Sequence, residues 1–362
     1  MSVVLTGGTG FLGMEMLARL VSGGSRVEAI VRARDAESAS ARVNRALEEA
    51  GVDRSAWPSV RAVAGDVTAP GLGLSRHDLD RLRQEATAVV HCAASVSWSL
   101  PLADARAINV VGTRRVLELA EEIERCGRLE RVVHVSTAYV AGRHRGRFSE
   151  DDLIAGQSFR NTYEQAKAEG EGLVRRFADR LPIAVVRPSI VVGESDTGWT
   201  PAFNVIYWPL RAFARGLLRE VPALPGSHVD IVPVDYVAGV IEHALRSGAP
   251  GSGVLHATAG PDALTADRLI SVACDAMRRE RPRLVEVGAE LTGGGEQAAL
   301  YAQYFDMQVE FDDARTREAT GLAPPRLEDY FDRLIAFAER ARWGKRPVSR
   351  AEARRELERT AA

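Results

Sequence analysis

Residues 6–13 read TGGTGFLG, directly behind the apolar run Ser2–Thr6 and directly ahead of a segment of helical period. A strand that turns into a helix over glycines at this spacing leaves few choices of fold. Gly7 makes the tight turn, Gly10 lets the backbone approach a pyrophosphate, and Gly13 lets the helix pack close on the strand. The helix amino terminus then offers free N–H groups to phosphate charge. Thr6, Gly7, Gly10, Phe11, Leu12 and Gly13 are therefore expected to form a dinucleotide cradle.

The chain beyond the loop keeps the same grammar. Short apolar runs rich in valine (Ser2–Thr6, Val27–Arg32, Val60–Gly65, Ala88–Cys92, Arg131–Ser136, Ile183–Arg187) read as strands buried on both faces. Helical segments lie between them: Leu12–Val21, Ala36–Ala50, Asp78–Glu85, Ala103–Cys126 and Tyr163–Arg180. In the fourth, Val116, Leu119, Ala120 and Ile123 recur at helical spacing and give one buried face. Strict alternation implies right-handed crossovers and an α/β, Rossmann-type, doubly wound parallel sheet. After Pro188 the pattern breaks into aromatic, proline and arginine residues, then mixed helix and loop with one more strand-like run, Val254–Ala257. The expected division is a nucleotide-binding domain over 1–192 and 231–262, a smaller mixed substrate-binding lobe over 193–230 and 263–345, and a tail over 346–362. Arg350–Arg359, within that tail, reads as a charged helix or a frayed end.

Composition removes several classes of function. A formal net charge of −2 gives no global attraction to nucleic acid. Cys92, Cys126 and Cys274 have no metal-ligand spacing, so neither a disulfide framework nor a zinc site is expected, and the seven histidines show no metal spacing either. Every apolar stretch is broken by charge before the ~20 residues of a membrane span. The amino-terminal residues do not read as a secretory signal, and a cytoplasmic protein is the expectation.

Two positions choose the cofactor and the chemistry. Where a site for NAD places a carboxylate at the end of the second strand, this chain has Arg32, whose guanidinium suits a ribose phosphate. NADPH is expected. Arg42 is a second candidate for the same group, with a solvated role equally open. Tyr163 and Lys167 stand four residues apart on a helical segment, so both project from one face. A cationic lysine there favours the phenolate and brings the phenol into working range as acid or base. A hydroxyl at the end of the fifth strand can share the developing oxyanion. Ser136 and Thr137 compete for that role, since neighbours along a strand point to opposite faces.

Together with TGGTGFLG, Tyr163–Lys167 and the strand-end hydroxyl, longer segments carry a resemblance. HCAASVSWSLPLADARAINVVGT (91–113), HVSTAYVAG (134–142), NTYEQAKAE (161–169), RPSIVVGE (187–194) and DIVPVDYVAG (230–239) resemble the fatty acyl-CoA reductase and carrier-protein thioester reductase branch of the extended short-chain dehydrogenase/reductases. The likeness spans about residues 2–260. It implies NADPH-dependent reduction of an acyl thioester, carried on coenzyme A or an acyl or peptidyl carrier protein, to an aldehyde, with a second reduction to alcohol left open. By the family's pattern the catalytic hydroxyl is Thr137. Asn109 matches an asparagine that orders a proton-relay water near the lysine. Asp66 and Val67 match adenine contacts, Ala93 and Ala94 the turn after the fourth strand, and Pro188 and Ser189 the segment beside the nicotinamide. Neither the further carboxyl-terminal domain and membrane segment of the long eukaryotic members nor the amino-terminal extension usual in reductase domains of large synthetases is expected. A compact, free-standing reductase is the expectation.

The remaining features divide between function and plain structure. Trp199, Phe203, Tyr207, Trp208 and Phe213 either wall an acyl channel or form core. Arg211, Arg215 and Arg219 would make one stripe on a helix, either solvated or facing an acidic carrier. His91 and His134 read as core. Alternatives to the thioester reductase are a relative acting on a ketone, hydroxysteroid or nucleotide sugar, and a catalytically silent NADPH sensor.

Overall fold

The computed structural model of the chain describes residues 1–224, 226–246, 253–286 and 304–361. Its centre is a seven-stranded sheet in the order β12-β7-β5-β4-β1-β2-β3. The strands are β1 Ser2–Thr6, β2 Arg26–Arg32, β3 Val60–Gly65, β4 Ala88–His91, β5 Arg131–Val135, β7 Ile183–Pro188 and β12 Val254–Ala257; β6 (Gly146–Phe148) lies in a separate ladder. The pairs β1–β2, β1–β4, β2–β3, β4–β5 and β5–β7 are all parallel. Every residue of β1, β4 and β5 is buried, which is why these strands read as unbroken apolar runs rather than alternating ones. The chain order reverses at β1, whose neighbours are β2 and β4. That reversal opens the crevice at the carboxyl ends in which doubly wound sheets bind ligands.

The helices α1 Phe11–Ser22, α2 Ala36–Glu49 and α3 Arg76–Glu85 follow the expected segments. The long segment expected over Ala103–Cys126 is instead three pieces: α4 Leu102–Arg106, a π-helical turn over Ala107–Gly112, and α5 Thr113–Arg125. Val116, Leu119, Ala120 and Ile123 of α5 are each 3% exposed or less. They share a core with Leu173, Val174 and Phe177 of α6 (Thr162–Phe177) and with Val132 and Ile183 of the sheet. Gly170 of α6 explains part of this close approach. A Cβ there would lie 2.5 Å from the Asn109 carbonyl oxygen in the π turn.

The chain forms two compact units. The first comprises Met1–Gly142, Asn161–Arg187 and Ala238–Leu255, and the second Arg143–Arg160, Pro188–Val237 and His256–Ala362. In the second unit β8 (Ile190–Val192) pairs in parallel with β11 (Ile231–Pro233), and β6 with β15 (Val309–Phe311). Two further ladders join β9 (Glu220–Pro222) to β14 (Arg283–Val285) and β10 (His228–Val229) to β13 (Leu264–Thr265). These strands of two or three residues are too short to show a period in the sequence. Of the expected substrate lobe, residues 225 and 287–303 lie outside the described residues.

One expectation for this unit is corrected, and one of the two readings of the carboxyl-terminal stretch is borne out. The helix carrying Arg211, Tyr207–Ala214, stops before Arg219, with Gly216 at φ +69°, so the arginines do not share one helical stripe. The carboxyl-terminal stretch is not frayed. It is the helix Arg350–Ala361, whose Ala353 packs with Trp199, Phe337, Ala341 and Val348, while the Trp199 indole N–H donates to the Val348 carbonyl at 3.1 Å. Among the described residues no helix is long and apolar enough to cross a membrane.

Candidate active site

The glycine loop is built by exclusion. Gly7 has φ +76°, and a Cβ on it would lie 2.6 Å from the Ala93 nitrogen and 2.7 Å from the Cys92 carbonyl carbon. The turns after β1 and β4 therefore touch backbone to backbone. A Cβ on Gly13 would overlap the Gly7 carbonyl oxygen, which sets how closely α1 sits on the strand. Gly10 is different: it is exposed, and a Cβ there would meet only the Gly7 oxygen, at 3.3 Å. It is the amino-terminal cap of α1, no side chain caps that end, and no acidic residue stands in the first turn. The uncapped N–H groups and the helix dipole thus suit a phosphate. Phe11 and Leu12 remain partly exposed beside them. Thr6 does not join this surface. It is fully buried, with its hydroxyl 2.7 Å from His91 Nδ1.

Arg32 is exposed at the end of β2. Arg42 reaches back from α2, donating to the Arg32 carbonyl at 2.8 Å and to the Thr9 hydroxyl at 3.4 Å. It reaches the loop while remaining exposed. Asp66, just past β3, accepts from the Thr68 N–H and hydroxyl at 2.8 and 2.7 Å. Burial works to raise its carboxyl, and is outweighed by those bonds and by the charges of Arg32 and Arg115, which hold it below its usual value. Val67 packs on Gly112 of the π turn, where a Cβ would lie 3.1 Å from it. Ala93 and Ala94 are partly exposed next to Gly7. In the second unit Pro188 and Ser189 are buried, and the Ser189 N–H donates to the Ala257 carbonyl at 3.3 Å.

At the end of β5 the two competing hydroxyls separate. Ser136 donates to Glu171 Oε2 at 2.7 Å in a buried cluster. The Thr137 hydroxyl is hydrogen-bonded to the Tyr163 phenol and accepts from the Tyr139 N–H at 3.3 Å. Asn161 caps the start of α6, its side chain accepting from the Glu164 N–H at 3.0 Å, so the first helical turn presents Tyr163. One turn on, Lys167 is buried and donates from Nζ to the Val135 carbonyl at 2.8 Å.

The electrostatics correct one expectation. The spacing of Tyr163 and Lys167 led us to expect a lowered phenol, but burial pushes it up to about 12. The Thr137 bond opposes this and Glu164 adds to it. Lys167, itself lowered to about 8 by burial, is turned to the Val135 carbonyl. Asn109 is also spoken for. Its side chain accepts from the Ser95 N–H at 2.8 Å and donates to the Ser95 carbonyl at 3.0 Å, which ties the loop after β4 to the π turn. His91 is held between the Thr6 and Thr113 hydroxyls, and burial with the Lys167 charge lowers it to about 3. His134 is buried beside it, with ring centroids 5.3 Å apart.

Two signals in the sequence were missed. Of 47 basic residues only Lys167 and Lys345 are lysines. A chain that otherwise uses arginine keeps lysine where a proton-exchanging amine is useful, since a guanidinium does not deprotonate. The second is Glu171, one more turn along the face of Tyr163 and Lys167, which receives Ser136 and Arg187.

Comparison with known proteins agrees with this architecture. Residues 5–241 match the NAD-binding family described as Male sterility protein. Fatty acyl-CoA reductase 1 of Xenopus laevis is 31% identical over 276 residues, covering 65% of this chain and 52% of that protein. The L-2-aminoadipate reductase large subunit of Penicillium chrysogenum is 34% identical over 277 residues, covering 72% of this chain and 19% of that protein. The chain thus spans about half the length of the frog reductase and a smaller share of the fungal one. The solved terminal R domain of the myxalamid PKS-NRPS biosynthetic pathway superposes with a TM-score of 0.82 at 27% identity, over 96% of this chain and 92% of that one. MoeE5, solved with UDP-glucose and NAD, shares the fold at 22% identity and a TM-score of 0.68, over 94% of this chain and 99% of that one. The glycine loop, the parallel sheet and the matched span together place the chain in the male sterility protein family of NAD-binding domains, with the fold of the extended short-chain dehydrogenase/reductases.

Proposed function

We propose that this chain is an NADPH-dependent reductase of acyl thioesters, releasing an aldehyde and, with a second hydride, an alcohol. The observation that carries this reading is the hydrogen-bonded pair Thr137–Tyr163 at the carboxyl end of β5. Relatives named as acyl-CoA and aminoadipate reductases support the choice of substrate class. A bound nicotinamide cofactor would supply the hydride.

The chain's own residues do the rest. Gly7, Gly10, Phe11, Leu12 and Gly13 form the loop that receives the pyrophosphate, with Asp66, Val67, Ala93 and Ala94 along the same strand ends. Arg32 takes the ribose phosphate, with Arg42 as its neighbour. Pro188 and Ser189 serve the nicotinamide end. Tyr163 and Thr137 hold the substrate carbonyl oxygen as charge develops on it. A phenol at about 12 is protonated at neutral pH, which suits the donor needed for reduction. Lys167, cationic below about 8, keeps a proton and a positive charge one turn away. Asn109 acts through the Ser95 loop. The thioester carbon, once reduced, is a hemithioacetal whose collapse returns the thiol of coenzyme A or of a carrier protein.

The second unit is proposed to hold the acyl group. Its aromatics divide between two places. Trp199 and Phe203 pack in the carboxyl-terminal cluster, and the Tyr207 hydroxyl accepts from the Gly193 N–H at 3.0 Å. Trp208 and Phe213 instead line an apolar pocket with Leu218, Leu269, Ile270 and Phe305. That apolar lining suits an aliphatic chain. The test is NADPH oxidation with acyl-coenzyme A, acyl-carrier-protein, free-aldehyde and nucleotide-sugar panels, products being identified by mass. Thioester-dependent oxidation with aldehyde or alcohol release supports the reading. Turnover of nucleotide sugars alone overturns it.

A further inference from the structure

Three successive residues at the end of β5 are held by three successive turns of α6. Thr137 bonds Tyr163, the Val135 carbonyl accepts from Lys167, and Ser136 donates to Glu171. Tyr163, Lys167 and Glu171 are spaced by four, so they form one column on the helix. Glu171 is the most constrained of them. Its carboxylate is 0% exposed and takes a two-pronged bond from Arg187, also 0% exposed: Nη2 to Oε1 at 2.6 Å and Nε to Oε2 at 3.0 Å. Arg175 adds a contact to Oε1 at 3.3 Å. Removing a carboxylate so placed would take from the buried Arg187 its two-pronged partner.

We propose that Glu171 is a positioning residue for this site: its buried carboxylate keeps Lys167 cationic and, through Ser136, holds the end of β5 in the register that presents Thr137 to Tyr163. This rests on the roles assigned above to Tyr163, Lys167 and Thr137.

The groups facing Lys167 explain why one carboxylate matters so much. From β4 and the turn after it come His91 and Cys92, and from β5 comes His134. Burial drives all three to their neutral forms: His91 down to about 3, His134 well below its ordinary value, and the Cys92 thiol up to about 12. None offers Lys167 a counter-charge near neutral pH. Burial opposes the ammonium, and Glu171 is the first of the charges that restore it. Arg187 and Arg175 carry the opposite sign and pair with the same carboxylate. The Ser136 bond works on geometry instead. With the Ser136 side chain fixed on Glu171, the backbone beside it is held where the Thr137 hydroxyl meets the phenol further along the same column.

The scarcity of lysine makes the test direct. Protein made with isotope-labelled lysine side chains gives signals from Lys167 and Lys345 alone, and their titration needs neither substrate nor turnover. Lys167 should titrate near 8, and the signal of the exposed Lys345 is assigned by its absence from a Lys345→Arg variant. In Glu171→Gln, Lys167 should move down by about one unit or more, a roughly tenfold loss of cation at a fixed pH above its midpoint. The alkaline limit of turnover should move with it. Because that variant removes the two-pronged partner of a buried charge, the double variant Glu171→Gln/Arg187→Met is measured beside it, with the same direction expected. Ser136→Ala should lower turnover several-fold while leaving the Lys167 titration in place. An unmoved Lys167 in a folded variant overturns the electrostatic half of the proposal, and unchanged turnover in Ser136→Ala overturns the register half. Failure of the thioester reading would leave the titration untouched, so the two failures are distinguishable.

Discussion

The hydroxyls of Thr137 and Tyr163 are hydrogen-bonded to each other, one from the turn after β5 and one from the first turn of α6. A carbonyl oxygen placed between them would meet two donors at once. Tyr163→Phe should lose turnover about a hundredfold or more and keep NADPH binding, because it removes a proton donor and little else. Thr137→Val should cost about 10²–10³ in turnover with little change in cofactor affinity, and Thr137→Ser should stay partly active. Ser136→Ala should be the mildest of these. Steady-state kinetics with cofactor titrations check the order, and a Ser136→Ala variant worse than Thr137→Val would reverse the assignment.

Arg32 sets the choice of cofactor. The wild type should bind NADPH well over tenfold more tightly than NADH, since a paired guanidinium–phosphate contact contributes about 1.5–3 kcal/mol. Arg32→Ala should remove most of that preference. Calorimetric titration with both cofactors measures it, and equal wild-type affinities would exclude the role.

The glycines should separate folding from binding. Gly7→Ala forces a Cβ against the Ala93 and Cys92 backbone at a φ of +76°, and should destabilise the protein by about 1–3 kcal/mol. Gly10→Ala meets only the Gly7 oxygen, at 3.3 Å. It should melt close to wild type yet bind NADPH several-fold more weakly. Thermal unfolding and cofactor titration read the two effects separately. A Gly10→Ala variant of normal affinity would mean that no phosphate approaches there.

Much of this was legible in the sequence, for identifiable reasons. β1, β4 and β5 are buried on both faces, so composition alone marked them, and the loop at Gly7 declared itself because backbone contact with Ala93 admits no side chain. The π turn at Ala107–Gly112 was missed because the apolar period that marked the helix, Val116 to Ile123, lies wholly beyond it. The arginine stripe was misread by giving periodicity precedence over Gly216. The phenol's raised value could not be read from spacing, because four-residue spacing places Lys167 beside Tyr163 but says nothing of burial or of the Val135 carbonyl that holds the ammonium. Glu171 was overlooked as an ordinary helix-surface acid, and only its contact with Arg187 across the fold shows otherwise.

Turnover should fall as pH rises through about 8. Burial depresses Lys167 below the ordinary lysine value, so the cation is present below that point and lost above it. Tyr163, pushed up to about 12, stays protonated throughout this range and should add no second limb. A turnover profile flat to pH 10 would show that the lysine charge is not needed.

The cavity in the second unit should set acyl-chain length. Ala273 lines it from the helix Ala266–Met277 and is 5% exposed. Ala273→Phe should cut turnover of long-chain thioesters about tenfold while sparing short ones, because the added ring takes volume that only a long chain uses. A chain-length series in both proteins decides it, and a uniform loss at all lengths would place the acyl chain elsewhere.

The claim that hydride reaches a thioester carbonyl carbon is tested most directly with NADPH carrying deuterium at its transferable position. Incubated with an acyl thioester, the protein should give free thiol and a product labelled at the former carbonyl carbon, with one deuterium in the aldehyde and two in the alcohol. Cofactor oxidation without label at that carbon, or a thioester returned intact while a ketone or nucleotide sugar is labelled instead, would contradict the account.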